Sequence, residues 1–513
     1  MSSLPVLSLC AVAAGISVLA LRRPRPSDSG TPLADPAGPL DVPGKFPLAL
    51  TAGPHPVIIT EKARFQHLEI VGSSGTGKNY HGLLPMIHQD MQRGAALIIV
   101  DPKGAMRRTI TAYAHACGRS KDLRCLDLGD PATSDTYNPF VGDDPTLVAE
   151  RAHAAFYAED ATPTSFYRDT ALSFFYSFFG LCRRLEVLPT PEQLRNIAQD
   201  QEALSALIAL APRSPEARDL RRRSLRQAPQ EYAKNLQGMA NALTPLTSGS
   251  FAGLLNTTSP GIVVSDMLER GGILYAGLAS DQYPSLFKRV STLLLMDLQA
   301  SLTRRYLTQA PPAFVYLDEF ADLLYPQAGA LIAKAREARV GLVLAHQSLG
   351  DLARQGKATG DAIFENTANK ILLRQGGADS ALTLARLSGT RSGDRISYSV
   401  NRTGIRGQMR PKTLSPGQDK EHLFDPDALM NLAVGEAFMI VQNSQGRELT
   451  RGHLLKAPEP KPFRARQSRR KNNAYCPLEL GATEVSAIPS PKPTSPLAMA
   501  ALQRMQRSRK HGH

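Results

Sequence analysis

Gly72, Ser73, Ser74, Gly75, Thr76, Gly77 and Lys78 form a Gly-x4-Gly-Lys loop between an apolar run, His67 to Val71, and a helix-like segment that begins near Asn79. In that setting successive backbone N–H groups turn toward one anion at the positive end of a helix, and the lysine reaches the β- and γ-phosphates of a nucleotide. The usual pattern has Ser or Thr next, as a magnesium ligand; this chain has Asn79, whose amide oxygen serves the ion or one of its waters less well. The spacing alone is common, so the loop needs partners: a carboxylate for magnesium and a group that orients water, both at neighbouring strand ends. Phe314-Val-Tyr-Leu317 leads into Asp318 and Glu319, and Gly341-Leu-Val-Leu-Ala345 into His346, Gln347 and Ser348. Asp318 suits the ion, Glu319 a base or water-polarising group, and Gln347 a contact with the γ-phosphate. Plainer readings stand beside these, since an Asp-Glu pair can merely start a helix and a lone Gln can cap a strand.

Only a parallel sheet brings such residues together. Ala95-Ala-Leu-Ile-Ile-Val100 is a continuous apolar run ending in Asp101-Pro-Lys-Gly104, as expected of a strand buried on both faces whose C-terminal tip meets a ligand crevice. The interval from Lys78 to Ala95 holds one crossover helix. Further strands are expected at 123–128, 272–278, 314–317, 341–345, 371–374 and 437–441. Between about 141 and 262 helical periodicity takes over, with amphipathic helices expected at 166–185, 192–211 and 231–243. Thr190-Pro191-Glu192-Gln193 has the form of a capped helix start. Arg218, Arg221, Arg222, Arg223 and Arg226 cluster within this insertion, as a solvated helical face or as a contact for nucleic-acid phosphate. The division expected is a membrane anchor at 1–23, a Pro-rich linker at 24–54, an α/β unit at 55–140 and 263–460 interrupted by an all-α domain at 141–262, and a basic tail at 461–513.

Five widely spaced cysteines without a Cys-x-x-Cys pair argue against a zinc site or a disulfide framework and for a reducing compartment. The net charge of +14 is uneven: residues 461–513 hold 11 basic and 2 acidic residues, so the tail supplies +9 of it. Leu4 to Leu21 carries no charge; as a helix it would be about 27 Å long, close to the roughly 30 Å of a hydrocarbon core. Arg22, Arg23 and Arg25 follow it, which by the positive-inside rule places the bulk of the chain in the cytoplasm. A signal peptide is the main rival, against which the uncharged first residues speak.

Pro312-Ala-Phe-Val-Tyr-Leu-Asp-Glu-Phe-Ala-Asp-Leu323 and Ala335-Arg-Glu-Ala-Arg-Val-Gly-Leu-Val-Leu-Ala-His-Gln-Ser-Leu349 resemble the VirD4/TraG/TraD coupling ATPases of type IV secretion and conjugation. Asp101-Pro-Lys-Gly104, Tyr137-Asn-Pro139, Asn366 to Arg374 and Gly435-Glu-Ala-Phe438 resemble further signatures of that family in the same order, over roughly residues 55–460. The resemblance implies a RecA-like P-loop motor with an inserted all-α domain, a transmembrane anchor in the inner membrane with the ATPase facing the cytoplasm, and a ring, expected as a homo-hexamer. It implies ATP and Mg2+ as ligands, with Lys78 in the phosphate loop, Asp318 and Glu319 as magnesium and catalytic carboxylates, and Gln347 as sensor. Arg336 matches the place of an arginine finger, with Arg339 close by. Its implied partners are single-stranded or duplex DNA, relaxase and relaxosome proteins, and channel components; secreted effector proteins are the alternative cargo. Two departures stand out: Asn79 replaces a hydroxyl or glycine, which leaves room for a docking scaffold with weak hydrolysis, and Ala105 stands where an acid is common.

Overall fold

The computed structural model describes residues 45–157, 165–306, 310–325, 327–353, 357–398, 414–443 and 446–460. The expected anchor, most of the linker and the basic tail lie outside the described residues, among which no helix is long and apolar enough to cross a membrane.

A nine-stranded sheet organises the chain. Its strands are β1 Leu68–Val71, β2 Ala96–Asp101, β3 Leu123–Asp127, β4 Ile273–Gly277, β5 Ala313–Leu317, β6 Val340–His346, β7 Asn369–Leu372, β8 Glu436–Asn443 and β9 Gly446–His453. They lie in the order β9-β8-β7-β1-β6-β5-β2-β4-β3. The seven strands from β7 to β3 are parallel, and the hairpin β8-β9 closes one edge antiparallel to β7. Five of the seven parallel strands begin with buried apolar residues, as expected of a sheet covered by crossover helices; β3 begins with the partly buried Leu123 and Arg124, and β7 with Asn369. Alternate residues feed two cores. Ile98, Val100, Val315, Leu317, Leu342 and Leu344 join the core that continues into the helical domain, whereas Leu97, Ile99, Phe314, Tyr316, Val343 and Ala345 face the opposite side.

Strand order places the site. β6 lies between β1 and β5, with Val71 opposite His346 and Leu317 opposite Leu344. The loop after β1, the glutamine after β6 and the carboxylates after β5 therefore emerge side by side at one edge. A buried ion pair secures the helix Leu84–Gln92 that follows the loop: Arg64 Nη1 and Nη2 each lie 2.6 Å from an Asp90 carboxylate oxygen, and the Tyr316 hydroxyl donates to the same group at 2.6 Å. Two charges so buried are tolerated only because the pairing is bidentate and further hydrogen-bonded.

Between residues 141 and 262 the described elements are helical: Pro145–Tyr157, Ser165–Arg184, Pro191–Gln199, Gln201–Ala209, Pro215–Ser224, Pro229–Thr247 and two short pieces near 250. The capping box at Thr190 forms as expected, Thr190 Oγ1 accepting from Gln193 N–H at 3.2 Å and Gln193 Oε1 from Thr190 N–H at 2.9 Å. The single helix expected at 192–211 is instead two, because Asp200 leaves helical geometry and its carboxylate caps the second, accepting from Glu202 N–H at 2.8 Å. The insertion leaves and rejoins the α/β body at adjacent points: Tyr137 and Ile262 form a parallel bridge, and Ile262 N–H donates to the Thr136 carbonyl at 3.0 Å. Asn138 pins the junction, its amide donating to the carbonyls of Pro189 and Thr257 at 3.0 and 2.8 Å.

The linker expected over 24–54 ends sooner than composition suggests. Leu48–Ala49 pairs with Ile58–Ile59, and Phe46, Leu48 and Leu50 are buried in the core on the far face of the sheet. Cys117, Cys125 and Cys182 are free thiols.

Candidate active site

The phosphate loop is held in place by its neighbours. Gly72 N–H donates to the His346 carbonyl at 3.2 Å and Ser73 N–H to the Arg374 carbonyl at 3.1 Å, which ties the loop to β6 and to the end of β7. A Cβ at Gly72 would lie 2.6 Å from Leu373 Cβ, so only glycine allows this approach. Gly77 has φ of +96°, and there a Cβ would also strike the His81 ring at 2.7 Å. Thr76 is buried and its hydroxyl donates to the Ser73 carbonyl at 2.8 Å, leaving Ser74 and Gly75 as the exposed crest. Residues Lys78–Leu83 open the following helix as a π-helical segment, a form found mostly where function distorts a helix.

Lys78 bends back over the loop, Nζ donating to the Gly72 carbonyl at 2.7 Å and the Ser73 carbonyl at 3.4 Å. Burial lowers its pKa, and the charges of Glu319 and Asp318 oppose that shift. Asn79 faces the carboxylates: its amide donates to Asp318 Oδ2 at 2.9 Å. Asp318 is 4 % exposed and its pKa is pushed up to about 6, by burial first and then by the charges of Asp101 and Glu319, while the Asn79 hydrogen bond works in the other direction. Glu319 has φ of +42°, a left-handed geometry that non-glycine residues adopt at a cost. That turn lets its carboxylate accept from Gln347 Nε2 at 3.0 Å, with Lys103 Nζ at 3.6 Å on the same oxygen. Asp101 plays a different part: buried, it accepts from the N–H groups of Lys103, Gly104 and Met106 and from the Tyr275 hydroxyl, and so shapes the loop that carries Lys103.

Of the residues read from the sequence, Lys78, Asn79, Asp318, Glu319 and Gln347 converge, with the backbone of Gly72 to Gly77 beneath them. Arg336 does not. It is exposed on the helix Ala328–Glu337, and its charge acts on His67, whose pKa burial lowers to about 4. His67 precedes β1, so Arg336 lies at the sheet edge opposite the phosphate loop. Arg339, left-handed at φ of +54°, is engaged by Glu61 at 3.6 Å.

Three features escaped sequence reasoning. Lys103 stood inside a quoted motif without a role. Val434, 55 % exposed, lies beside Gly77, and Tyr80, 45 % exposed, packs edge-on against His81, the ring that neighbours Gly77. Glu69, an acid in the middle of a buried strand, is fully buried and paired with Lys370 and His346; its position in an apolar run was a signal, since such a charge must find partners.

Among the described residues no group of three or more His, Cys, Asp or Glu side chains could hold a metal ion by itself. Asp318 and Asn79 together offer hard oxygen donors beside a phosphate cradle, which fits magnesium, an ion that takes one or two protein ligands and fills its octahedron with phosphate and water.

A phosphate loop at a parallel strand end, a glutamine-tipped strand next to it and an Asp-Glu strand end beyond define a P-loop nucleoside-triphosphatase architecture of the RecA-like kind. Residues 312–434 match the family model described as the TraM recognition site of TraD and TraG. The fold matches the conjugative coupling protein TrwBΔN70 in its unbound form at a TM-score of 0.57 and 16% identity, over 80% of this chain and 88% of that one. TrwB in complex with ADP and Mg2+ matches at 0.53 and 16%, over 79% and 88%, and TrwB with the GTP analogue GDPNP at 0.53 and 16%, over 82% and 91%. No curated protein matches the chain by sequence. The segment match and the shared fold bear out the resemblance to type IV coupling proteins of the VirD4/TraG/TraD kind.

Proposed function

We propose that this chain is an ATP-hydrolysing coupling protein that recruits relaxase-bound single-stranded DNA and delivers it to a type IV secretion channel. The observation that carries the hydrolytic part is the convergence of Lys78, Asn79, Asp318, Glu319 and Gln347 on one edge of the sheet. Lys78 exchanges its loop carbonyls for phosphate oxygens. Asp318 and Asn79 would hold magnesium, which when bound would supply charge neutralisation on the phosphates. Glu319 takes or polarises the proton of the attacking water, and Gln347, hydrogen-bonded to it, senses whether the γ-phosphate is present. Val434 beside Gly77 and the exposed Tyr80 three residues on give the nucleobase an apolar landing in this reading. Arg336, remote from its own loop, acts in this reading on the nucleotide of a neighbouring copy in a homo-hexameric ring. TrwB crystallised with ADP and Mg2+ and with a GTP analogue supports the ligand class. The family match at 312–434, described for TraD and TraG as a TraM recognition site, supports partners among relaxosome proteins. The apolar stretch Leu4 to Leu21 anchors the chain in the inner membrane in this reading.

The test is ATP turnover by the full chain with and without single-stranded and duplex DNA. Turnover stimulated by DNA and abolished in Lys78→Ala is expected; full activity in that variant sinks the assigned site. Pull-down from the native host, scored for relaxase against effector proteins, separates DNA export from protein export.

A further inference from the structure

We propose that the buried cluster His346–Glu69–Lys370 is a clamp that fixes Gln347 relative to the phosphate loop, making His346 and Glu69 positioning residues for hydrolysis. The inference rests on the hydrolytic reading above.

Three strands contribute. Glu69 sits in β1, three residues before Gly72; its opposite neighbours are Leu344 in β6 and Lys370 in β7. In parallel pairing His346 is two residues beyond Leu344 and shares its face, so all three charged or polar side chains meet on one side of the sheet. His346 Nε2 lies 2.7 Å from Glu69 Oε1. Lys370 Nζ donates to Glu69 Oε2 at 2.6 Å and to the Phe364 and Thr367 carbonyls at 2.7 Å each, and the Thr367 hydroxyl donates to Glu69 Oε2 at 2.9 Å. Glu69 and His346 are 0 % exposed. Burial pushes the Glu69 pKa up, but Lys370 and His346 outweigh it and hold the carboxyl below the usual carboxylate range. A charge cluster of this kind rarely adds stability over apolar packing of equal volume, and its best-attested use is to fix one arrangement among several.

The arrangement fixed here is the turn that carries the sensor. The other ring nitrogen, His346 Nδ1, lies 2.9 Å from the Ser348 carbonyl. One imidazole thus holds the residues on both sides of Gln347, and the Gln347 side chain projects to Glu319 at 3.0 Å. The same Glu69 carboxylate binds Lys370 of β7, and two residues past the end of that strand the Arg374 carbonyl receives Ser73 N–H. Both the sensor turn and the loop are therefore referenced to one buried acid. If the γ-phosphate moves Gln347, the displacement is transmitted to β1 and β7 through this acid rather than absorbed by a flexible turn.

A double-mutant cycle tests the clamp because it asks whether His346 acts through Gln347. On the full chain, His346→Gln should lower kcat about tenfold while Kd for ADP stays within about twofold, and in a Gln347→Ala background the same change should alter kcat by less than about twofold. Removing one partner of a buried pair can unfold a protein, so the paired variant Glu69→Gln with Lys370→Met, which deletes both charges, is measured alongside and should show the same loss of kcat at unchanged ADP affinity. Multiplicative losses in His346→Gln and Gln347→Ala overturn the clamp while leaving the ATPase reading intact. Absence of ATP turnover in the unmodified chain overturns both.

Discussion

Asp318→Asn should abolish ATP turnover and, at the same time, make the nucleotide-free protein more stable. The buried carboxylate is pushed from 3.8 up to about 6, so the folded state binds its proton more tightly than the unfolded chain does. Stability therefore falls as pH rises from about 4 through 6 and stays lowered above that window, the reverse of an acid held in a salt bridge. With 1.36 kcal/mol per unit of difference, the cost of keeping Asp318 ionised is at most about 3 kcal/mol at pH 8 and about 1.6 kcal/mol at pH 5. Asparagine carries no such cost: its carbonyl oxygen keeps the Glu319 N–H bond that Asp318 Oδ1 accepts at 3.0 Å, and its amide then faces Asn79, whose own amide can turn to accept from it. Since about 1 kcal/mol moves the Tm of a 150–250-residue domain by roughly 2–4 °C, Asp318→Asn should unfold several degrees above the parent at pH 8 and show about half that gain at pH 5. Thermal unfolding in the presence of a chelator, followed by circular dichroism at the two pH values, reads both numbers. No gain at pH 8, or an equal gain at both, refutes the claim that burial and neighbouring acids strain this carboxylate.

Asn79→Thr should raise kcat several-fold by giving magnesium a hydroxyl ligand; brisk turnover in the parent with no change in the variant removes the case for Asn79 as a brake. Tyr80→Ala should weaken ATP binding about tenfold, roughly 1.4 kcal/mol of lost apolar and stacking contact, and leave tripolyphosphate inhibition unchanged; calorimetric titration with both ligands decides whether the base lands there. Arg336→Ala should lose turnover on its own yet regain part of it when mixed with Lys78→Ala subunits, because those mixed interfaces in which the Arg336→Ala copy supplies the loop and the Lys78→Ala copy the arginine are intact; mixtures as inactive as either variant alone exclude action between copies.

The strands that build the site were legible because a strand buried on both faces must be an apolar run, and Ala96–Asp101, Ala313–Leu317 and Val340–His346 are such runs. Sequence patterning is weaker wherever polar residues take the same conformation. Gly446–His453 is a full edge strand of charged and polar residues, and Thr390–Tyr398 pairs with Leu414–His422 without any apolar period; only tertiary pairing reveals them. The start of the folded body was hidden by its prolines, although Phe46, Leu48 and Leu50 alternate in the way a strand does. At the site, the positions at strand ends singled out the loop, both carboxylates and the glutamine as candidates, and the sheet brings them together. What sequence could not supply was register: that Glu69 faces Lys370, or that Arg336 sits at the edge away from the loop, follows from which strands are neighbours, and residues 277 or 301 positions apart acquire contact only through that order.

The paired ends of the helical insertion have a consequence of their own. Because Tyr137 and Ile262 lie side by side and Asn138 locks the entry to the exit, the helical insertion leaves and rejoins the motor at one point, and its first helix, Pro145–Tyr157, is sealed onto the motor by the buried Arg151–Asp297 ion pair at 2.6 Å and by a shared core. The helices beyond that first one can be exchanged, lengthened or rebuilt in evolution without re-registering the central sheet, provided the two ends still meet and Asp297 keeps its Arg151 partner. Exchanging the helices from Ser165 to Thr247 for those of a relative, with the Pro145–Tyr157 helix left in place, would then change what the motor is offered while its phosphate chemistry stays as it is.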